Sequence, residues 1–422
     1  MIFFKDLRVL RASGLAPASA VVEHGVVKAV GQLEPPAGAR VIEAPGAILG
    51  PGLVDLHAHL REPGQTWKED IASASTAAVA GGFTAIMAMP NTDPATDDAN
   101  AVARIRDRAS EVGLVEVVVA GSLSKERRGL EMADLDGMYG AGVRFFTDDG
   151  DSVADAGLMR RIMAYLSDFP DVVIGDHPEE VAITAGGHLN EGALSATHGV
   201  GGLPAVAEEI VVSRDLALAT ETGARLHLQH LSTARSVELV RAAKQSGLHV
   251  TCEVTPHHLL LDESALEELD PNLKMYPPLR SSADRAVLVA GLADGTVDVV
   301  ASDHAPHAPG DKDLPFEEAP RGVIGLETAA AATWQALDGD VAVFFERLSI
   351  TPALIAGLGH HGKYVEPGSR ANLVLFDPDR AWVPDVFRSK SENSPFRGMK
   401  MEGRVLMTLL EGRIVFEDGP SA

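Results

Sequence analysis

One cysteine, Cys252, stands in 422 residues. No intrachain disulfide can form, and thiolate metal clusters are excluded, so any bound metal has to rest on imidazole and carboxylate. Aromatic residues are scarce at 5%. A core must therefore be filled by Ala, Val and Leu, and the 45% hydrophobic content allows a large one. Positive charge is in deficit: 36 basic against 60 acidic residues leave a net charge of -24. Such a surface repels nucleic acid and anionic membrane, and it lacks the basic stripe of a nucleic-acid binder. No apolar run approaches the ~20 residues that cross a bilayer. Lys5, Asp6 and Arg8 interrupt the N-terminus too early for the apolar stretch of a signal peptide. These absences point to a cytoplasmic enzyme with neither nucleic-acid nor membrane partners.

What is present has two textures. Residues 1–48 carry short alternating runs such as Ala20–Val27, and residues 363–422 return to that style in Ala371–Phe376, Val405–Leu410 and Gly412–Phe416. Lone hairpins are marginal in water, so one small β-sandwich completed by both chain ends is expected. Between them, over 49–362, eight apolar β-type runs alternate with helical patterns. The runs are Ala47–Leu56, Phe83–Met89, Val115–Ala120, Val143–Thr147, Asp171–Gly175, Arg225–Gln229, His249–Val254 and Val297–Ala301. Near-continuous apolar runs suit strands buried on both faces. Eight such units predict an α/β fold of the (β/α)8 TIM-barrel type. An open doubly wound sheet is disfavoured, because no Gly-rich phosphate loop follows a strand.

In such barrels chemistry is done at the C-terminal strand ends. The first run ends in Asp55-Leu56-His57-Ala58-His59-Leu60-Arg61, the fourth in Thr147-Asp148-Asp149-Gly150, the fifth in Asp176-His177, the sixth in Gln229-His230 and the eighth in Ser302-Asp303-His304. Residues two apart on a strand project the same way, so His57 and His59 can reach one cation. Five strand ends carrying His or Asp predict a metal site. Arg61 lies two residues beyond His59, and its planar fork suits a carboxylate. The Pro-containing stretch 308–320 is a candidate lid. Blander roles are expected elsewhere: Cys252 as a buried small hydrophobe, His257 and His258 as structural, His227 facing away, His360 and His361 at the surface, and Trp67 in packing.

These motifs carry a resemblance. Pro51-Gly52-Leu53-Val54-Asp55-Leu56-His57-Ala58-His59 resembles the amidohydrolase superfamily signature. With Leu60-Arg61-Glu62-Pro63-Gly64, Met89-Pro90-Asn91-Thr92 and Asp303-His304-Ala305-Pro306-His307, it is similar to bacterial type I dihydroorotases over nearly the whole chain. The resemblance implies Zn2+, one or two ions per subunit. One would be held by His57, His59, Asp149 and Asp303, and a second by Asp149, His177 and His230. Related hydantoinases place a carbamylated Lys on the fourth strand; none stands in Val143–Gly150, and Asp149 would take its place. It also implies the reversible cyclisation of N-carbamoyl-aspartate to dihydroorotate in pyrimidine biosynthesis, with a metal-activated hydroxide and Asp303 as general base and then acid. Arg61, Asn91 and His307 would meet the substrate, along with His59, Tyr276 and backbone groups of Arg321 and Gly322. Tyr276 is a departure, since the residue before this Pro pair is usually Asn in that family. A homo-oligomer and a complex with aspartate carbamoyltransferase are implied partners. Hydantoinase or allantoinase activity, and a non-catalytic scaffold, are the competing readings.

Overall fold

The apolar runs of the middle of the chain form parallel strands because each is covered on both faces. In this computed structural model, which describes residues 1–419, the strands are Leu53–Ala58, Phe83–Ala88, Glu116–Val119, Phe145–Phe146, Val173–Asp176, Leu226–Leu228, Val250–Val254 and Val299–Val300. The first three pair in parallel, as do the last five. Two parallel bridges, Gly121 to Phe146 and Ala58 to His304, join these arcs. There the Thr147 N–H donates to the Gly121 carbonyl and the His59 N–H to the His304 carbonyl, each at 2.9 Å. The sheet is thereby closed into an eight-stranded (β/α)8 barrel.

A buried carboxylate helps to close it. Asp55, on the first strand, accepts from the N–H of Ser302 at 2.7 Å and from its hydroxyl at 2.6 Å. Burial pushes this carboxyl up to about 7, against the two hydrogen bonds from Ser302.

Helices start where a short polar side chain can cap them. Asp70 accepts from the Ser73 N–H ahead of Ile71–Ala80, Asp98 caps Ala99–Val112, Thr233 caps Ala234–Gln245 and Ser281 caps Ser282–Asp294. Among the described residues no helix is long and apolar enough to cross a membrane.

Both chain ends meet in one eight-stranded sheet. Its inner side is Phe4, Leu7, Val9, Leu49, Leu373, Leu375, Met407 and Leu409. The run Ala47–Leu56 turns out to be two strands: Ile48–Pro51 pairs antiparallel with Leu373–Phe376, and the barrel begins at Leu53. Hydropathy cannot see this division, because both halves are buried. The break falls at Gly52, where a Cβ would stand 2.3 Å from Thr84 Cγ2.

Three other local expectations change. Trp67 is 65% exposed and does not pack. His361 is buried at 1% exposure rather than lying on the surface. The 308–320 stretch is anchored: Lys274 Nζ donates to the carbonyls of Phe316, Glu317 and Ala319 at 2.6, 3.0 and 2.7 Å, and Lys312 Nζ to those of Pro271 and Pro320 at 2.9 and 2.8 Å. Cys252 is buried as expected, and burial pushes its thiol pKa up.

Candidate metal centre and substrate cleft

The C-terminal strand ends converge. His57 Nε2 lies 3.1 Å from Asp149 Oδ1 and 3.6 Å from Asp303 Oδ1. His59 Nε2 lies 3.2 Å from Asp303 Oδ1 and 3.5 Å from Asp149 Oδ2. His177 Nδ1 stands 2.9 Å from His230 Nε2 and 3.7 Å from Asp149 Oδ1, and His230 Nε2 stands 3.4 Å from that same oxygen. Asp149 therefore meets four imidazoles, His57, His177 and His230 at Oδ1 and His59 at Oδ2. Asp148 turns away from them and accepts the N–H groups of Leu123 and Ser124 at 2.8 and 3.0 Å.

This donor set fits a divalent cation. All six side chains are buried, and His57 Nε2 and His230 Nδ1 have no hydrogen-bond partner. Buried polar atoms are rarely left that way. Ligand atoms of His57, His59 and Asp303 lie within 4.8 Å of one another, as do those of His57, Asp149 and His230. Nitrogen and oxygen donors without sulfur suit Zn2+ and its neighbours. Burial alone would raise both carboxyls. The charge of His57 and hydrogen bonds from His177 and His230 hold Asp149 well below the usual range, and His59, His57 and His230 do the same for Asp303.

A residue outside the expected set orients this cluster. Glu253, inside the seventh strand and fully buried, accepts from His57 Nδ1 at 2.6 Å, from His227 Nε2 at 3.2 Å and from the His230 N–H at 3.3 Å. With Nδ1–H committed to Glu253, it is Nε2 of His57 that a metal ion in the cluster would meet. His227 thus does not face away; it braces the same carboxylate, with its Nδ1 2.8 Å from Thr251 Oγ1. The signal was in the sequence: an acid inside a strand buried on both faces has to be paired.

Above the cluster lies a cleft of about 270 Å³ lined by His59, Asp149, His177, His230 and Asp303 together with Arg61, Asn91, Tyr276, His307, Arg321 and Gly322. The structure brings every expected site residue to this place, His57 lying beneath its floor. The Arg61 Nε donates to the Pro306 carbonyl at 3.2 Å, and Arg61 has no ion-pair partner among the described residues. Asn91 Oδ1 is 2.8 Å from His59 Nδ1, so Asn91 orients a metal-facing imidazole as well as lining the cleft.

His307 Nε2 donates to the Arg321 carbonyl at 2.7 Å. Burial and the neighbouring Arg61 charge lower His307 to about 2, so it is neutral. The Arg321 guanidinium stacks 3.8 Å from the centre of the Tyr276 ring, whose centroid is 5.2 Å from that of His177.

The backbone of Arg321-Gly322 is engaged within the protein. Besides the Arg321 carbonyl, the Gly322 N–H goes to the Lys274 carbonyl at 2.9 Å and the Gly322 carbonyl accepts from Asn393 Nδ2 at 3.1 Å. What Gly322 supplies is room: at φ +125 its Cβ would stand 2.8 Å from Ala305 Cβ and 3.1 Å from His307 Nε2. Asn393 was not foreseen. It reaches back from between two strands of the terminal sheet, and its Oδ1 accepts the His307 N–H at 3.1 Å. Arg61, His230 and Asp303 all hold left-handed backbone, with φ of 58, 32 and 43. Non-glycine residues pay strain there, and such outliers gather at functional sites.

Comparison with known proteins fits this geometry. A family model described as dihydro-orotase-like matches residues 46–236. A dihydroorotase of Streptomyces coelicolor is 43% identical over 421 residues, covering 98% of each chain. The chain belongs to the dihydroorotase family. A second relative, the dihydroorotase of Desulforapulum autotrophicum, is 40% identical and covers 94% of each chain. Among solved structures the L-hydantoinase (dihydropyrimidinase) of Arthrobacter aurescens superposes with a TM-score of 0.88 at 27% identity, covering 100% of this chain and 97% of its own. The dihydropyrimidinase of Brevibacillus agri, at 24% identity and a TM-score of 0.85, shares the fold and covers 99% of this chain and 95% of its own.

Proposed function

We propose that the protein is a zinc-dependent dihydroorotase that interconverts N-carbamoyl-L-aspartate and L-dihydroorotate. The observation that carries this is the pairing of an all-imidazole and carboxylate centre with an unpaired Arg61 in the same cleft. His57, His59, Asp149 and Asp303 would hold one ion, and Asp149, His177 and His230 a second. A cation bound there supplies Lewis-acid polarisation and lowers the pKa of water. Arg61 grips the substrate carboxylate, its fork matching two oxygens. Asn91 and His307 complete that side, and the Arg321 guanidinium and Tyr276 ring wall it. Asp303, held ionised, accepts a proton from the attacking water and passes it to the departing ring nitrogen; in the biosynthetic direction the transfers reverse. Glu253 acts through His57 as a positioning residue.

The fold likeness to hydantoinases makes their activity the second reading. Against it, Phe145-Phe146-Thr147-Asp148-Asp149 offers no lysine to carbamylate. Assays of the purified protein with dihydroorotate, hydantoin and allantoin separate the two: turnover of dihydroorotate is expected, and turnover of only the others overturns the assignment. The same proposal places the enzyme in the cytoplasm, divides the chain into 1–48 with 363–422 and 49–362, and takes it to form a homo-oligomer, alone or with an aspartate carbamoyltransferase. Mass measurement in solution reads the assembly.

A further inference from the structure

A second group of imidazoles meets a carboxylate far from the cleft. Glu116 opens the third barrel strand, at the end opposite the catalytic mouth. Its Oε2 lies 2.7 Å from His360 Nε2 and 3.0 Å from His361 Nε2, and the three ligand atoms lie within 4.8 Å of one another. The two histidines follow the helix Thr351–Ile355 and precede the terminal strand that begins at Leu373.

Which nitrogen is turned to Glu116 is fixed by the contacts around His361. Its side chain is fully buried, with Nδ1 2.9 Å from Thr84 Oγ1. Thr84 Oγ1 also lies 3.4 Å from the Leu53 carbonyl, and its contact with Nδ1 holds the ring so that Nε2 faces Glu116. Asn372 Nδ2 lies 3.5 Å from that same Nε2. With its proton displaced, Nε2 and the carboxylate oxygen 3.0 Å away can bind one cation together. His360 brings a second nitrogen to that same oxygen. One cation can take the place between these two nitrogens and the oxygen. The catalytic cluster likewise gathers imidazole nitrogens around one carboxylate oxygen, that of Asp149.

We propose that Glu116, His360 and His361 form a further binding site for a divalent transition-metal ion, with Zn2+ the best match to two imidazoles and one carboxylate. Water would complete the coordination, since His360 and Glu116 are 44% and 36% exposed. The ion would tie the third barrel strand to a segment 244 positions later in the chain, the one leading into the terminal sheet. Its role there is structural, because no candidate substrate residue lies at that end. Metal ligands must be deprotonated, so binding there displaces N–H protons.

The test uses the zinc-loaded enzyme, titrated with Zn2+ and followed by equilibrium dialysis with metal analysis. At micromolar free zinc the wild type is expected to take up one equivalent more than His360→Ala, and Glu116→Gln is expected to match His360→Ala. The exposed His360 is chosen over His361 so that folding is preserved. Its removal is expected to leave dihydroorotate turnover unchanged and to abolish the rise in thermal midpoint that added zinc gives the wild type. Equal zinc uptake by wild type and His360→Ala overturns the site, and so does an equal zinc-dependent midpoint shift.

Discussion

The barrel carries a histidine–carboxylate cluster at each end, and the two are built differently. The cluster at the C-terminal strand ends is buried, and partners outside the ligand set orient two of its imidazoles: Glu253 holds His57, and Asn91 holds His59. The cluster at the opposite end stands half in water, and only His361 is clamped. The comparison teaches that similar ligand types are tuned by what surrounds them. Taking six ionisable side chains out of water is costly unless each charge is matched, so the catalytic end needs a dense ring of partners and accepts strained backbone at His230 and Asp303. The exposed end pays little desolvation and needs no such ring. It should bind metal more weakly and matter less to turnover.

The comparison can be broken most sharply at Asp303. Asp303→Asn is expected to lower dihydroorotate turnover by about 10³-fold or more, because it removes the proton carrier and weakens a ligand. Circular dichroism and metal analysis check that fold and ions persist; an active variant would sink the assigned role. Next comes Glu253→Gln. Loss of an orienting carboxylate typically costs about 10–100-fold in metal affinity. Chelator competition should show that drop, with kcat recovering in excess zinc; unchanged affinity would mean that Glu253 only fills space. A third variant, Arg61→Lys, keeps the charge and loses the fork. The KM for dihydroorotate is expected to rise about 10-fold, the equivalent of ~1.4 kcal/mol, with metal content unchanged. If kcat falls instead while KM holds, Arg61 is not the carboxylate anchor. The effect expected to touch turnover least comes from Gly322→Ala, which adds a Cβ at φ +125 against Ala305 and should instead destabilise the fold by about 1–3 kcal/mol, read by denaturant titration. A wild-type midpoint would show that the backbone yields there.

Much of the catalytic end could be read from the amino-acid order. His57 and His59 share a face because strand side chains alternate, and the Asp and His residues elsewhere stand just past apolar runs that had to become strands. The residues that escaped notice act from a distance. Glu253 is the kind of buried acid that must find a partner, yet nothing in linear order says that the partner is His57, 196 positions away. Asn393 lies in the part of the chain that feeds the terminal sheet, and only the path of the chain brings it to His307 and Gly322. His360 and His361 have no periodic pattern around them, so their meeting with Glu116 was equally hidden.

The sequence by itself determined the class of barrel, the nature of the metal donors and the strand ends that carry them. Each follows from local rules: alternation along a strand, apolar runs that must be buried, and the absence of thiolates. The tertiary structure decided which nitrogen of each imidazole faces the centre, that the run from Ala47 to Leu56 divides between two sheets, and that the backbone of Gly322 is engaged within the protein. Those outcomes rest on hydrogen bonds and close contacts between residues far apart in the chain, and such pairings exist only once the barrel has closed.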